Sequence, residues 1–270
     1  MSEPARTQSD TGDSAASAGY TADEMMSVAA SRLLENGTVC FVGIGLPSEA
    51  ANLARLIHAP DAVLIYESGT IGTRPDVLPL SIGDGELAET ARTVVSVPEM
   101  FRYWLQGGRI DVGFLGAAQI DRYGNINTTV IGPYDNPTVR LPGGGGAPEI
   151  ATSTGQVYVI LRQSRRAFVE NLDFVTSLGG GPRRAGLRVP GAGPQKLITD
   201  LGILEPHPDS GELTLTALHP GATVEEARAK TGWDLKVADR LTSVPAPGAR
   251  ELEVLRALKA RTAAAHAGDV

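Results

Sequence analysis

The chain has a single cysteine, Cys40, so no internal disulfide framework can form and a reducing compartment is expected. Clustered positive charge is missing too. No Lys/Arg block is longer than a pair, and 31 acidic against 24 basic residues give a formal net charge of -7. A duplex-binding surface is built on a basic stripe, so nucleic acid is not an expected partner. No apolar run approaches the ~18 residues that a bilayer span requires, so no membrane association is expected. Histidine is scarce, and His58, His207, His219 and His266 show no metal-ligand spacing, so no metal site is expected. The start of the chain lacks an apolar stretch and is rich in Ser, Ala, Thr and Asp. It fits neither a secretory signal nor a transit peptide and reads as a disordered tail over residues 1–20. A soluble, cytoplasmic protein is expected, with residues 21–270 as one domain.

What is present is an alternation of short apolar runs and helical periods, with 42% hydrophobic residues over 270 positions. Thr21-Ala22-Asp23-Glu24 has capping-box spacing, and Met26, Ala29, Ala30, Leu33 and Leu34 recur at helical intervals until Asn36-Gly37. Thr38 to Val42 reads as a buried strand, Ser48 to His58 as a helix and Ala62 to Tyr66 as a second strand. That order is a βαβ unit, which requires a parallel, right-handed crossover. Further strands are expected at Val94–Val97, Ile110–Leu115, Val157–Leu161, Leu197–Leu204 and Leu213–Leu218. Helices are expected around Glu99–Gln106 and Ala249–Ala265, and a capping box at Thr223 and Glu226. Tyr123-Gly124-Asn125 should turn into a hairpin with Ile126–Ile131. Gly179–Gln195 is dense in Gly, Pro and Arg and reads as a long excursion or lid. The expected fold class is α/β with a parallel sheet and helices on both faces.

Ligands of open parallel sheets gather beyond the carboxyl ends of the strands. Gly43-Ile44-Gly45 falls there, between a strand and a helix. Its N–H groups can meet an anion, though glycine is also the ordinary residue of any turn needing positive φ. Glu67-Ser68-Gly69 ends the second strand. Glu67 reads either as a solvated or Arg-paired turn residue or as a carboxylate nucleophile with two small neighbours that admit a substrate. Carboxylate attack on a thioester passes through oxyanionic intermediates, so backbone N–H donors matter more than an added base. Gly143 to Ala147 can supply such donors or be a flexible surface loop. Cys40 reads as a small core residue. Arg74, Arg102, Arg109 and Arg140 read as surface or interface charges with some capacity for anions. Tyr103 and Trp104 suggest a helix packed on the core or on a partner.

Four motifs in order then carry a resemblance. Gly-Ile-Gly-Leu-Pro at 43–47, Tyr-Glu-Ser-Gly at 66–69, Gly-Ala-Ala-Gln-Ile-Asp-Arg-Tyr-Gly-Asn-Ile-Asn at 116–127 and Gly-Gly-Ala-Pro-Glu-Ile at 145–150 resemble the β subunits of family I coenzyme A transferases. The likeness is strongest to the glutaconate and 3-oxoadipate CoA-transferase branch, and it runs from about Thr21 to the final helix. The resemblance implies a sugar-phosphate-isomerase-like CoA-transferase fold with a partner α subunit that completes the site. It implies that Glu67 carries acyl and CoA groups and that Gly146 offers an oxyanion N–H. Gly43, Ile44, Gly45, Ser68, Gly69, Gly145 and Ala147 should then contact substrate or CoA. It implies no cofactor beyond the CoA thioester, which is both substrate and covalent intermediate. Substrates are an acyl-CoA, succinyl-CoA first, and a carboxylic acid, 3-oxoadipate first and glutaconate as the alternative. Ring-cleaving hydrolase subunits of the same fold are a further alternative, but those relatives lack the strand-end glutamate. A sensor module of related fold would call for a DNA-binding segment or second domain that the motifs do not suggest.

Overall fold

The computed structural model describes residues 19–267, so most of the tail read from the sequence, residues 1–18, lies outside the described residues. Gly19 and Tyr20 do not fit that reading. Arg256 donates to the Gly19 carbonyl at 2.7 Å, and Tyr20 packs against the core.

The strands are β1 (Val39–Phe41), β2 (Val63–Ile65), β3 (Thr70–Ile71), β4 (Thr93–Val94) and β5 (Val112–Leu115). Two small hairpins follow, β6 (Gln119–Ile120) with β7 (Ile126–Asn127) and β8 (Val130–Ile131) with β9 (Val139–Arg140). The rest are β10 (Gln156–Ile160), β11 (Pro194–Ile198), β12 (Gly202–Pro206), β13 (Leu213–Leu218) and β14 (Lys236–Ser243). The main sheet is 10-stranded in the order β14-β13-β12-β11-β10-β5-β1-β2-β3-β4. Its centre, β11-β10-β5-β1-β2, is parallel throughout. Antiparallel pairings extend it on both sides, through β3 and β4 at one edge and β12 and β13 at the other.

Alternation along the central strands sorts their side chains. Cys40, Leu64, Tyr66, Phe114, Tyr158 and Ile160 enter one core, while Phe41, Ile65, Leu115, Val157 and Val159 enter the other. Helices α1 (Ala22–Ser31) and α2 (Leu46–Ile57) cover the first core. Between α2 and the last helix come α3 (Gly85–Glu89), α4 (Val97–Glu99), α5 (Ala147–Ser153) and α6 (Val224–Ala229). The terminal helix α7 (Ala249–His266) backs α1 and α2 through Val28, Leu53 and Leu255. On the second face lie α5, α6 and a π-helical turn, Met100–Leu105, that continues α4. Both faces of the sheet are thus covered, as a parallel sheet requires.

Local chemistry explains several boundaries. The capping box of α1 is complete, with Thr21 N donating to Glu24 Oε2 at 2.8 Å and Glu24 N donating to Thr21 Oγ1 at 3.2 Å. Such a cap is worth about 1 kcal/mol. At α6 only half of the expected box forms, with Glu226 N donating to Thr223 Oγ1 at 3.1 Å. Val94–Val97 is not one strand, because Ser96 accepts from Glu99 N and starts α4. Ile126–Ile131 breaks into β7 and β8, because the Asn127 amide donates to Val130 O at 2.7 Å and its oxygen accepts from Thr129 N at 2.9 Å. Leu197–Leu204 is a hairpin. Thr199 Oγ1 accepts from Leu201 N and Gly202 N, both at 3.1 Å, and turns the chain between β11 and β12. The 179–195 segment is an excursion with one 3₁₀ turn, Gly181–Arg183, and it is tied down at its start where Gly179 N donates to Asn125 Oδ1 at 2.8 Å.

Candidate active site

Strand β1 lies between β2 and β5, so the chain leaves β1 to one side and later returns on the other. The carboxyl ends of β1 and β5 therefore part at a topological switch point, where such sheets open a crevice. The crevice is present. A cleft of about 540 Å³ lies there, with the Gly43-Ile44 loop after β1, Gly116 after β5, and the 142–147 loop along its walls. The rest of its lining is mostly apolar, including Leu46, Pro47, Ile82, Phe114 and Ile160.

Glu67 is the charged residue of that lining. It sits at the tip of the tight turn that joins β2 to β3, closed by Gly69 N donating to Tyr66 O at 3.0 Å. The preceding Tyr66 is fully buried on the other face, where its hydroxyl and Ser48 Oγ are 2.8 Å apart and burial pushes its pKa up to about 12. The alternation of the strand then sends Glu67 to the α5 face. Glu67 is half-buried, and among the described residues no Lys, Arg or His forms a salt bridge with it. The Arg-paired reading of this residue is therefore not what the structure shows.

The carboxylate faces glycine. A Cβ built on Gly146 would stand 3.2 Å from the Glu67 carboxyl carbon and 2.9 Å from Phe101 Cζ, and one on Gly145 would stand 3.9 Å from Glu67 Oε1. Gly146 is the N-cap of α5, whose first turn holds Pro148. Among the described residues the N–H groups of Gly145 and Gly146 meet no backbone acceptor. They form an unused donor pair beside a carboxylate, the arrangement that stabilises an oxyanion developing on a reacting carbonyl.

The 116–127 motif supplies the foundation for this loop. Asp121 accepts from Tyr123 N and Asn125 N at 2.9 and 3.0 Å, and Asn127 donates to Gln119 Oε1 at 2.7 Å. These buried polar groups brace the β6–β7 hairpin. From there Thr128 grips the glycine loop, with Thr128 Oγ1 donating to Gly143 O at 2.7 Å and Gly143 N donating to Thr128 O at 2.8 Å.

Of the residues expected from the sequence, Glu67, Gly43, Ile44, Gly145, Gly146 and Ala147 meet in this cleft. Gly45, Ser68 and Gly69 fall outside its lining. Gly45 caps α2 at φ 80°, a backbone role that glycine serves. Gly69 has φ 98°, and a Cβ there would strike Val95 O at 2.1 Å, so its small size serves chain packing against the loop before α4. Ser68 Oγ is 3.5 Å from Thr70 Oγ1 at the turn. Cys40 is buried, and burial pushes its thiol pKa up, against any nucleophilic role. Sequence reasoning passed over Phe101, Phe114, Ile82 and Pro142. Helix α5 was also missed, although Ala147-Pro148-Glu149 is a helix-start signature.

Comparison with known proteins places the chain. Residues 23–229 match the family model described as coenzyme A transferase. The chain is 64% identical over 250 residues to the B subunit of the 3-oxoadipate CoA-transferase of Pseudomonas knackmussii, covering 92% of this chain and 96% of that one. It is 36% identical over 250 residues to the B subunit of the glutaconate CoA-transferase of Acidaminococcus fermentans, covering 88% and 91%. The crystal structure of glutaconate coenzyme A-transferase from Acidaminococcus fermentans superposes with a TM-score of 0.81 at 34% identity, covering 88% of this chain and 94% of that one.

Proposed function

The chain belongs to the coenzyme A transferase family, and on that premise we propose that it is the β subunit of an enzyme that moves CoA from succinyl-CoA to 3-oxoadipate, with Glu67 as the covalent carrier. The observation that carries this reading is the Glu67 carboxylate set against the free N–H groups of Gly145 and Gly146 in the switch-point cleft. Identity of 64% to a 3-oxoadipate CoA-transferase chain, against 36% to a glutaconate CoA-transferase chain, favours 3-oxoadipate as the acceptor.

The chemistry balances without another cofactor. A Glu67 carboxylate oxygen adds to the thioester carbonyl, and the tetrahedral oxyanion collapses by expelling the CoA thiolate, leaving a mixed anhydride. The thiolate then adds to the glutamyl carbonyl of the anhydride and expels succinate, leaving CoA as a thioester on Glu67. The acceptor carboxylate attacks that thioester, and the same two steps run in reverse order return free Glu67 and the new acyl-CoA. Each tetrahedral species places negative charge on oxygen, which the Gly145 and Gly146 N–H groups are disposed to meet. Gly43 and Ile44 border the same cleft and serve the CoA side of the reaction. A partner α chain, as the relatives' names imply, completes the site in a cytoplasmic heteromer.

The test is an acceptor assay on this chain purified with its α partner. Transfer from succinyl-CoA to 3-oxoadipate, with little from this chain alone, is expected. Transfer to glutaconate and none to 3-oxoadipate would overturn the substrate assignment.

A further inference from the structure

Phe101 is half-buried and touches the site, yet it stands outside the cleft lining. Its position is set by an unusual piece of helix. After α4 the chain widens into the π turn Met100–Leu105, where Gln106 N donates to Phe101 O at 2.8 Å, five residues back. Such turns are rare and concentrate at functional sites. The widening has a packing cause. Met100 and Leu105 are both fully buried, and five residues along a regular α-helix lie about 140° apart, so one helix face could not bury both. The π turn brings them to one side and leaves Phe101 directed toward α5.

There the ring closes on Gly146. Phe101 Cζ and Cε1 lie 2.9 and 3.1 Å from the point where a Gly146 Cβ would stand, and the Glu67 carboxyl carbon lies 3.2 Å from the same point. The ring also packs edge-on against Phe41 at 6.4 Å between centroids, and Phe41 lines the cleft. Glycine at 146 is therefore enclosed by the Phe101 ring and the Glu67 carboxylate together. No hydrogen bond to a side-chain donor and no ion pair fixes that carboxylate among the described residues, so packing is what limits its swing.

We propose that Phe101 is a positioning residue. The π turn holds its ring as a backstop that keeps the Glu67 carboxylate aligned with the Gly145 and Gly146 N–H groups. This rests on the reading of Glu67 as the CoA carrier. Aligned, the carboxylate attacks along one path and the oxyanion forms where the donors point. A shift of about 1 Å in a nucleophile costs on the order of a hundredfold in rate, so a ring outside the cleft lining still governs turnover.

The experiment measures kcat and KM for succinyl-CoA on the assembled two-chain enzyme, together with the fraction of Glu67 trapped as thioester. It compares wild type, Phe101→Ala and Phe101→Leu. In Phe101→Ala, kcat should fall about tenfold to a hundredfold while KM stays within about twofold, because alignment rather than substrate binding is lost. Phe101→Leu, which refills most of the space, should recover most of the rate. The thermal midpoint of the complex decides whether rate losses reflect unfolding. If Phe101→Ala does not assemble, Phe101→Val takes its place, with the same fall in kcat expected at unchanged KM and midpoint. Unchanged kcat in folded Phe101→Ala or Phe101→Val, or losses that only track the folded fraction, would overturn it. The two readings fail separately. Absence of any Glu67 thioester in the wild type removes the function above, whereas normal trapping in wild type and equal trapping rates in the variants remove only the backstop.

Discussion

Two sets of carboxylates in this chain are treated in opposite ways. Where the helices meet behind the sheet, glutamates are paired. Arg256 donates to both oxygens of Glu24 at 2.6 and 3.0 Å and holds that carboxyl below its ordinary range. Burial would raise Glu251, but Arg32 donates to both of its oxygens, at 2.7 and 2.6 Å, and the net shift is downward. At the β13–β14 edge Lys236 lies 2.6 Å from Glu212 and lowers it likewise. At the cleft, Glu67 is half-buried beside glycines, and among the described residues no cation forms an ion pair with it. A paired carboxylate stabilises the fold and is a poor nucleophile, since its electrons are already engaged. The difference separates charge that holds α7 and the sheet edge in place from charge left unpaired in the cleft among the described residues.

The sharpest way to break that contrast is at the free member. Glu67→Asp should cost about a hundredfold in kcat, because one methylene withdraws the carboxylate by about 1 Å. The thermal midpoint should stay at the wild-type value, and steady-state kinetics with a melting curve checks both. Gly146→Ala should cost somewhat less, about tenfold to a hundredfold. Its Cβ would have to displace Phe101 and the Glu67 carboxyl, and trapping of the Glu67 thioester would be slowed in proportion.

Away from the cleft the effects should fall on stability. His219 is buried with Nε2 donating to Thr199 O at 2.8 Å and Nδ1 without a partner among the described residues, and burial lowers its pKa from 6.5 to about 4. The unfolded chain then binds the extra proton between those values. The stability due to neutral His219 is complete above pH 6.5 and is lost as pH falls toward 4, at up to about 1.4 kcal/mol per pH unit. Denaturant unfolding of His219→Gln across that range should show a shallower acid slope. The smallest effect is expected at the paired set. Arg32→Ala should lower stability by about 1 kcal/mol, a shift of about 2–4 °C in the midpoint, with kcat unchanged in the assembled enzyme.

The same contrast governed what the sequence could disclose. The string around Glu67 left it open between a turn residue and a nucleophile, and the resemblance of four motifs in order singled it out. The complete cap at Thr21 is a local signal, read from two side chains three apart. The breaks at Asn127 and Thr199 were missed because each depends on a side chain satisfying backbone groups that periodicity does not register. Gly69 was read as room for a substrate, but its constraint is the Val95 carbonyl, some 26 positions later in the chain and in contact only once β3 pairs with β4. Phe101 had no legible signal at all. Its role depends on a π turn, and the run Met100-Phe101-Arg102-Tyr103-Trp104-Leu105 reads as an ordinary helix face.

The most direct measurement is the mass of this chain, purified with its α partner, after incubation with succinyl-CoA and reduction with borohydride. A glutamyl thioester is reduced to the alcohol, so one peptide should lose an oxygen and gain two hydrogens, and fragmentation should place the change at Glu67. An unmodified Glu67 peptide in a sample that has consumed succinyl-CoA would contradict the covalent mechanism.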